Sequence, residues 1–215
     1  MKIWDYFRGN QSEVLHWLWN TVWLAGLPTV VGLVLALPAG WVASRYRWTY
    51  PPLATISGIL YTIPSLVLLI VLPGIIGTRI LDAVNVVIAL TVYSVALLVR
   101  VVADGLNSVS GETMAAASAM GLTDRQRFFA VQLPISVPVI GAGLRVAAVS
   151  NVSLVSVASL IGIPQLGSLF TAGSQADDLV PILLGLIMIV ALALVFDGII
   201  VTLIRVFSPW RRAVA

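Results

Sequence analysis

Side chains that could serve as nucleophiles, general bases or metal ligands are few in this chain and badly placed for one another. Cysteine is absent, which removes disulfides and thiolate metal sites. His16 is the single histidine, so a histidine-based metal cluster or a histidine-activated nucleophile would need a second subunit. Lys2 is the single lysine. A phosphate-cradling loop needs a glycine-rich turn ending in Lys-Ser or Lys-Thr, and the sequence has none. No catalytic residue and no metal ligand is therefore assigned. The net charge is +3, with an isoelectric point near 9.7. No basic run or basic-aromatic interleaving accompanies it, so nucleic acid is not an expected partner.

The spacing that stands out is of another kind. Ala115 to Pro134, AAASAMGLTDRQRFFAVQLP, is the longest polar break in the chain. Ala115, Ala116, Ala117, Ser118 and Ala119 give a helix with a smooth ridge that another surface can approach closely. Glu112 lies near its start, where a carboxylate suits the helix dipole. Gly121 can adopt the left-handed conformation that ends a helix. Thr123 and Gln126 fit a capping box for a second helix. That helix places Phe128 and Val131 on one face, with Arg125 and Arg127 away from it. Leu133-Pro134 is expected to close the unit, giving a hairpin over residues 110–134. Helices of about ten residues are too short to be stable alone. The hairpin is therefore either an ordinary loop packed on what lies beneath it or a docking surface for a partner.

The elements around it are oily. The chain is 60% hydrophobic and 10% charged, against about 25% charged in a soluble domain; its mean hydropathy is +1.04. An integral membrane protein with a single transmembrane domain over 1–215 follows. A spanning helix needs about 20 apolar residues, and charges punctuate the candidates. No charge falls between Glu13 and Arg45, which puts span 1 at 16–43, with Pro28 and Pro38 expected to bend it. Trp17, Trp19 and Trp23 at one end, and Trp41 and Trp48 at or beyond the other, read as interfacial belts. After Pro51-Pro52, span 2 covers 53–76 and carries a polar notch, Tyr61-Thr62-Ile63-Pro64-Ser65. Broken backbone at that depth is tolerated only where protein packs on it or a wet cavity adjoins it. Span 3 covers 84–107, span 4 135–160 and span 5 179–206, with a break at Gly162 to Gly167.

Five spans put the termini on opposite sides. Arg45, Arg47, Arg125, Arg127, Arg205, Arg211 and Arg212 collect on one side and Lys2, Arg8 and Arg79 on the other. The positive-inside rule then places the hairpin and the C-terminus in the cytoplasm and the N-terminus outside. Lys2, Asp5, Arg8 and Glu13 cancel, so the N-terminal segment does not read as a signal peptide and is expected to be retained. Three charges lie within spans: Arg100, Arg145 and Asp197. A lone charge at the membrane centre costs about 2.5–3.5 kcal/mol on insertion scales. Asp197 is therefore expected to neutralise one or both arginines, with Asp104, one helical turn from Arg100, as a competitor.

The hairpin resembles a known pattern. Binding-protein-dependent ABC import permeases carry Glu-Ala-Ala, three residues, Gly, nine residues, then Ile-x-Leu-Pro. Ala116, Ala117, Gly121, Leu133 and Pro134 match, Val131 takes the Ile position, and Ala115 stands where the family has Glu. Glu112, three residues earlier on nearly the same face, is the residue expected to substitute. The fragments YTIPSL (Tyr61 to Leu66), Val87 to Arg100 and GAGLRVAAVSN (Gly141 to Asn151) are most similar to permeases of osmoprotectant importers (glycine betaine, carnitine or choline). Methionine-type permeases share the size and span number. The resemblance implies an all-α ABC type I importer permease fold in a bacterial or archaeal plasma membrane, paired with a second copy or paralogue. It implies two separate ABC ATPase subunits that hold ATP and magnesium and receive the Ala115 to Gly121 helix. It implies an extracytoplasmic solute-binding protein, and a path lined by Tyr61, Pro64, Ser65, Tyr93, Asn151 and Ser153. The rival readings are a stand-alone channel or carrier, for which no internal repeat is found, and a membrane adaptor, which would not need the Gly121 to Pro134 spacing.

Overall fold

Long apolar runs leave a chain few options in hydrocarbon, and the α-helix is one because it pairs its N–H and C=O groups within its own segment. The computed structural model describes residues 3–46 and 48–208, and these are helical with no strand among them. Lys2, Arg47, Pro209, Trp210, Arg211 and Arg212, used above for orientation and for the tail, lie outside the described residues. A short α1 (Ile3–Gly9) precedes α2 (Gln11–Arg45), which continues through Pro28 and Pro38. Then come α3 (Tyr50–Thr62), α4 (Ser65–Ile76) and α5 (Ala83–Asn107). The hairpin holds α6 (Gly111–Ala119) and α7 (Asp124–Arg127), and α8 is Leu133–Val155. A 3-10 turn at Ser156–Ile161, α9 (Ser168–Ala176) and α10 (Leu179–Phe207) complete the order.

Four helical runs are long and apolar enough to cross a membrane, and a bent pair makes up to five. The bent pair is α3 with α4, which meet at 101°. Span 2, expected as one helix with a notch, is thus two half-helices of 13 and 12 residues. Pro64 explains the break. It has no N–H to donate, and it biases Ile63 toward extended backbone; Ile63 has ψ 127° and Pro64 ψ 131°.

A second departure is at Leu133-Pro134, where the sequence suggested a stop. The helix does not stop. Residues Asp124–Ile161 form one continuous run, with a π-turn at Phe128–Gln132. There the Leu133 N–H reaches the Phe128 carbonyl, one residue further back than in an α-helix. The widened turn carries the chain across Pro134 without ending the helix.

The centre of the packing is α5, which contacts α2, α3, α4 and α8. Its closest neighbour is α2, whose buried residues include, beside Val14, Leu24 and Pro28, the row Thr21, Ala25, Thr29, Gly32, Ala36, Gly40 and Ala43. These small residues recur at three- and four-residue intervals, so the backbones come close enough for contact without large side chains. A Cβ placed on Gly40 would lie 2.6 Å from Val102 Cβ, and one on Gly32 would collide with Ser94.

The bundle has two distinguishable ends. At one, α1 packs on α10, the Asn20 amide donates to the Pro164 carbonyl (2.9 Å), and the Leu166 N–H donates to Thr21 Oγ1 (3.0 Å). Burial pushes the Tyr6 phenol up, and Glu13 and Asp178 nearby add to the shift. At the other end Arg45 pairs with Asp124 (3.1 Å), Trp41 meets Phe128 edge-on, and the Tyr50 hydroxyl donates to Asp104 (2.7 Å).

The seam predicts a contrast between two glycines. Gly40→Leu should lower the thermal unfolding midpoint of the detergent-solubilised chain by the equivalent of about 1–3 kcal/mol, since it overpacks a closed contact. Gly58→Ala, where nothing lies within 4 Å, should be neutral or stabilising by roughly 0.5–1 kcal/mol, the helix-interior difference between the two residues. Tryptophan fluorescence during heating reads both.

Candidate functional site

The hairpin is built from local rules. Ser110 caps α6 by accepting from the Thr113 N–H (3.2 Å). At the other end Gly121 has φ 81°. Its N–H bonds to the Ser118 carbonyl (3.0 Å), and the Leu122 N–H bonds to the Ala117 carbonyl (3.3 Å). These two bonds form the Schellman closure, which needs a left-handed residue. Thr123 and Gln126 make the reciprocal capping box. Arg127 reaches back to Ser118 and Asp124.

The result is a two-helix projection that shows little of itself to the bundle. Within α6 only Ala117 is buried; Glu112, Ala115, Ala116, Ser118 and Ala119 are exposed, and Met120 is 72% exposed. The ridge carries a single carboxylate, Glu112, and otherwise methyls and one hydroxyl. Ala115 and Glu112 both face outward. Leu133 and Pro134 lie at the base, half-buried beside the π-turn.

The broken span supplies a second cluster. The Tyr93 hydroxyl donates to the Ile63 carbonyl, one of the acceptors released by the break. Tyr61 and Tyr93 stand edge to face with centroids 6.0 Å apart. Tyr61 and Pro64 are exposed, Ser65 is half-buried and Tyr93 is buried. So Tyr61, Pro64, Ser65 and Tyr93 do converge on one place. Asn151 does not join them. Its amide donates to Thr29 Oγ1 and to Ser94 Oγ, both at 2.8 Å, and it is 1% exposed. It ties α2, α5 and α8 together in the interior. Ser153, two residues on, is exposed.

Of the three charges within spans, two pair. Arg145 holds Asp197 through two bonds, Nε to Oδ1 at 2.6 Å and Nη2 to Oδ2 at 2.9 Å. The planar guanidinium matches the carboxylate with two parallel bonds. Arg100 has no carboxylate within 4 Å among the described residues, and Asp104 engages Tyr50 instead. Of the expectation that Asp197 neutralises one or both arginines, the structure shows one, Arg145, and Asp104 does not take Arg100 within 4 Å. Arg100 is exposed near the end of α5.

Sequence reasoning missed a polar cluster at the hairpin base. Gln132 Nε2 donates to the Leu106 carbonyl (3.1 Å). Ser136 Oγ, fully buried, lies 2.8 Å from the Gly105 carbonyl and 2.7 Å from the Gln132 carbonyl. The available signal was the four-residue spacing of two polar residues, which puts both on one helix face. Among the described residues no group of three or more His, Asp or Glu side chains is placed to hold a metal.

The sequence matches the family described as "Binding-protein-dependent transport system inner membrane component" over residues 29–209. It is 30% identical over 207 residues to the osmoprotectant import permease protein OsmW of Salmonella typhimurium, covering 95% of this chain and 96% of that one. It is 28% identical over 208 residues to the glycine betaine/carnitine/choline transport system permease protein OpuCD of Bacillus subtilis, covering 96% and 90%. Among solved structures, an inward-facing MetNI methionine ABC transporter chain superposes with a TM-score of 0.79 at 20% identity, covering 93% of this chain and 98% of that one. An amino acid ABC transporter chain solved with histidines gives 0.74 at 18% identity, covering 95% and 98%. At those identities the likeness is one of fold.

The charge pair yields a direct test. Asp197→Arg and Arg145→Asp should each lower the melting midpoint and the yield of monodisperse protein, because each leaves two like charges facing one another. The double exchange should recover a substantial part of both. Thermal melting and size-exclusion profiles of the three variants decide it; an exchange no better than either single change removes the pairing from the stability account.

Proposed function

Because the chain belongs to the family of binding-protein-dependent transport system inner membrane components, we propose that its hairpin is the element on which two separate ABC ATPase subunits act. The chain is the permease component of an ABC importer and a multi-pass membrane protein. On this reading 1–215 is one transmembrane domain with no catalytic residue of its own, and ATP and magnesium are held by the partner ATPases. The hairpin end of the bundle faces the cytoplasm and the α1 end faces outward, where a solute-binding protein delivers substrate. A second copy or a paralogue completes the path, which passes Tyr61, Pro64, Ser65, Tyr93 and Ser153; Asn151 holds the wall behind it.

The observation that carries this reading is α6. Its ends are closed by their own bonds, its exposed face is Glu112, Ala115, Ala116 and Ala119, and only Ala117 is buried in the bundle. A rigid rod with small side chains and little contact with its own chain suits insertion into a groove on another protein. Substrate class follows the relatives: we assign a quaternary-ammonium osmoprotectant such as glycine betaine, carnitine or choline, in line with the functions carried by OsmW and OpuCD. An amino acid such as methionine is the second reading, favoured by the fold likeness to MetNI.

The experiment is reconstitution of the permease with its ATPase and binding protein in liposomes, with labelled glycine betaine, carnitine, choline and methionine as competing substrates. ATP-dependent uptake of a quaternary amine, not displaced by methionine, is expected. Gly121→Val should cut uptake on the order of tenfold, since a β-branched residue in the left-handed region costs about 1–3 kcal/mol. Gly121→Ala should cut it less. Unchanged uptake in Gly121→Val would remove the coupling role from the hairpin.

A further inference from the structure

The hairpin leaves α5 through the short link Ser108–Ser110 and re-enters the bundle at α8. Such a projection can bend at its link unless something closes its base. At the end of α5 the Ser108 N–H is shared between the Asp104 and Gly105 carbonyls (2.9 and 3.3 Å), and the carbonyls beyond them have no donor one turn ahead. The π-turn and α8 reach back to this end: the Gln132 amide donates to the Leu106 carbonyl, and the Ser136 hydroxyl lies within reach of both the Gly105 and the Gln132 carbonyls. Ser108 adds its own hydroxyl to Gly105 (2.7 Å).

We propose that Gln132 and Ser136 form a clasp that shuts the base of the hairpin and makes α5 and α8 move with it as one body. Gln132 and Ser136 are positioning residues; they touch neither nucleotide nor transported solute. The rest of the anchoring is of a different kind. Arg45 and Asp124 pair in the open, with side chains 55% and 64% exposed, and such pairs contribute little. Trp41 and Phe128 meet by apolar contact, and packed apolar surfaces permit small sliding motions. The clasp differs in being directional, with Ser136 buried and Gln132 fixed within the π-turn. That turn ends at Gln132, and it sets the angle at which this side chain leaves the helix. Load on α6 therefore reaches the spans through Gly105 and Leu106 rather than being absorbed at Ser108–Ser110.

The proposal rests on the reading of the hairpin as the ATPase-coupling element, and two measurements separate them. The chain has no cysteine, so Met120→Cys with Ile56→Cys gives a clean spin-label pair on exposed positions of the hairpin and of α3. In the wild-type background the distance distribution should be narrow. Gln132→Leu should broaden it with only a small fall in the melting midpoint and with ATPase copurification in place, because the caps within the hairpin are untouched. Gln132→Lys keeps a donor and points a cation at the α5 C-terminus, so it should restore the narrow distribution. In liposomes, solute transported per ATP hydrolysed should fall about fivefold in Gln132→Leu, the equilibrium factor of one lost hydrogen bond, and return in Gln132→Lys. An unchanged distribution in Gln132→Leu overturns the clasp, and so does a Gln132→Lys variant as broad as Gln132→Leu. A broadened distribution with an unchanged transport ratio overturns its role in coupling. If the wild-type assembly shows no ATP-driven uptake, the coupling reading fails, and the label distances still decide whether the clasp exists.

Discussion

A backbone carbonyl or N–H left unpaired in hydrocarbon costs several kcal/mol, and the irregular features of this chain are answers to that constraint. Pro64 breaks a span, and Tyr93 supplies a hydroxyl to the carbonyl the break releases. Pro134 sits where a helix would be expected to end, and the chain shifts to a π-turn and continues. The Leu106 carbonyl near the end of α5 would be an orphan, and Gln132 reaches across to it. Asn151, which would be costly alone in the interior, is matched by a threonine on one neighbour and a serine on the other. Regular helix needs no help of this kind; the departures from it are where side-chain identity is constrained.

That constraint also separates what was legible in the sequence from what was not. The four long apolar helical runs were legible because charges and prolines mark their ends, and the left-handed turn at Gly121 and the capping box at Thr123 were legible because their bonds span five residues or fewer. Contacts of that range are written in adjacent letters. The notch at Pro64 could be read as a break, but its 101° bend could not, since the angle is set by where α4 finds packing against α5. Leu133-Pro134 misled for the same reason. A proline in isolation predicts a stop, and only the continuing contacts of α8 make a widened turn the cheaper outcome.

Polar residues within spans were the least legible part of the site. Asn151, Tyr93 and Ser153 look alike as isolated polar letters in apolar runs. In the fold they have three different surroundings: a buried knot, a cap on a broken helix, and an open face. Only the partner across the helix interface tells them apart, and partners such as Thr29 lie more than a hundred positions away in the chain. The same holds for charge. Asp197 could have served Arg100 or Arg145; the antiparallel register of α8 and α10 brings it to Arg145, and Arg100 is left near the helix end.

One consequence follows from the plainness of α6. An alanine has no side-chain rotamers to lose on being held, whereas a long polar side chain gives up about 1.5–2 kcal/mol of rotamer freedom when fixed. On the proposed coupling role, a contact face made of Ala115, Ala116 and Ala119 can thus be gripped and released many times with almost no side-chain ordering on its part. Its shape is the same before and after. The free energy of each grip then depends on the groove that receives it, and a surface of this kind suits a joint under cyclic load better than a lock.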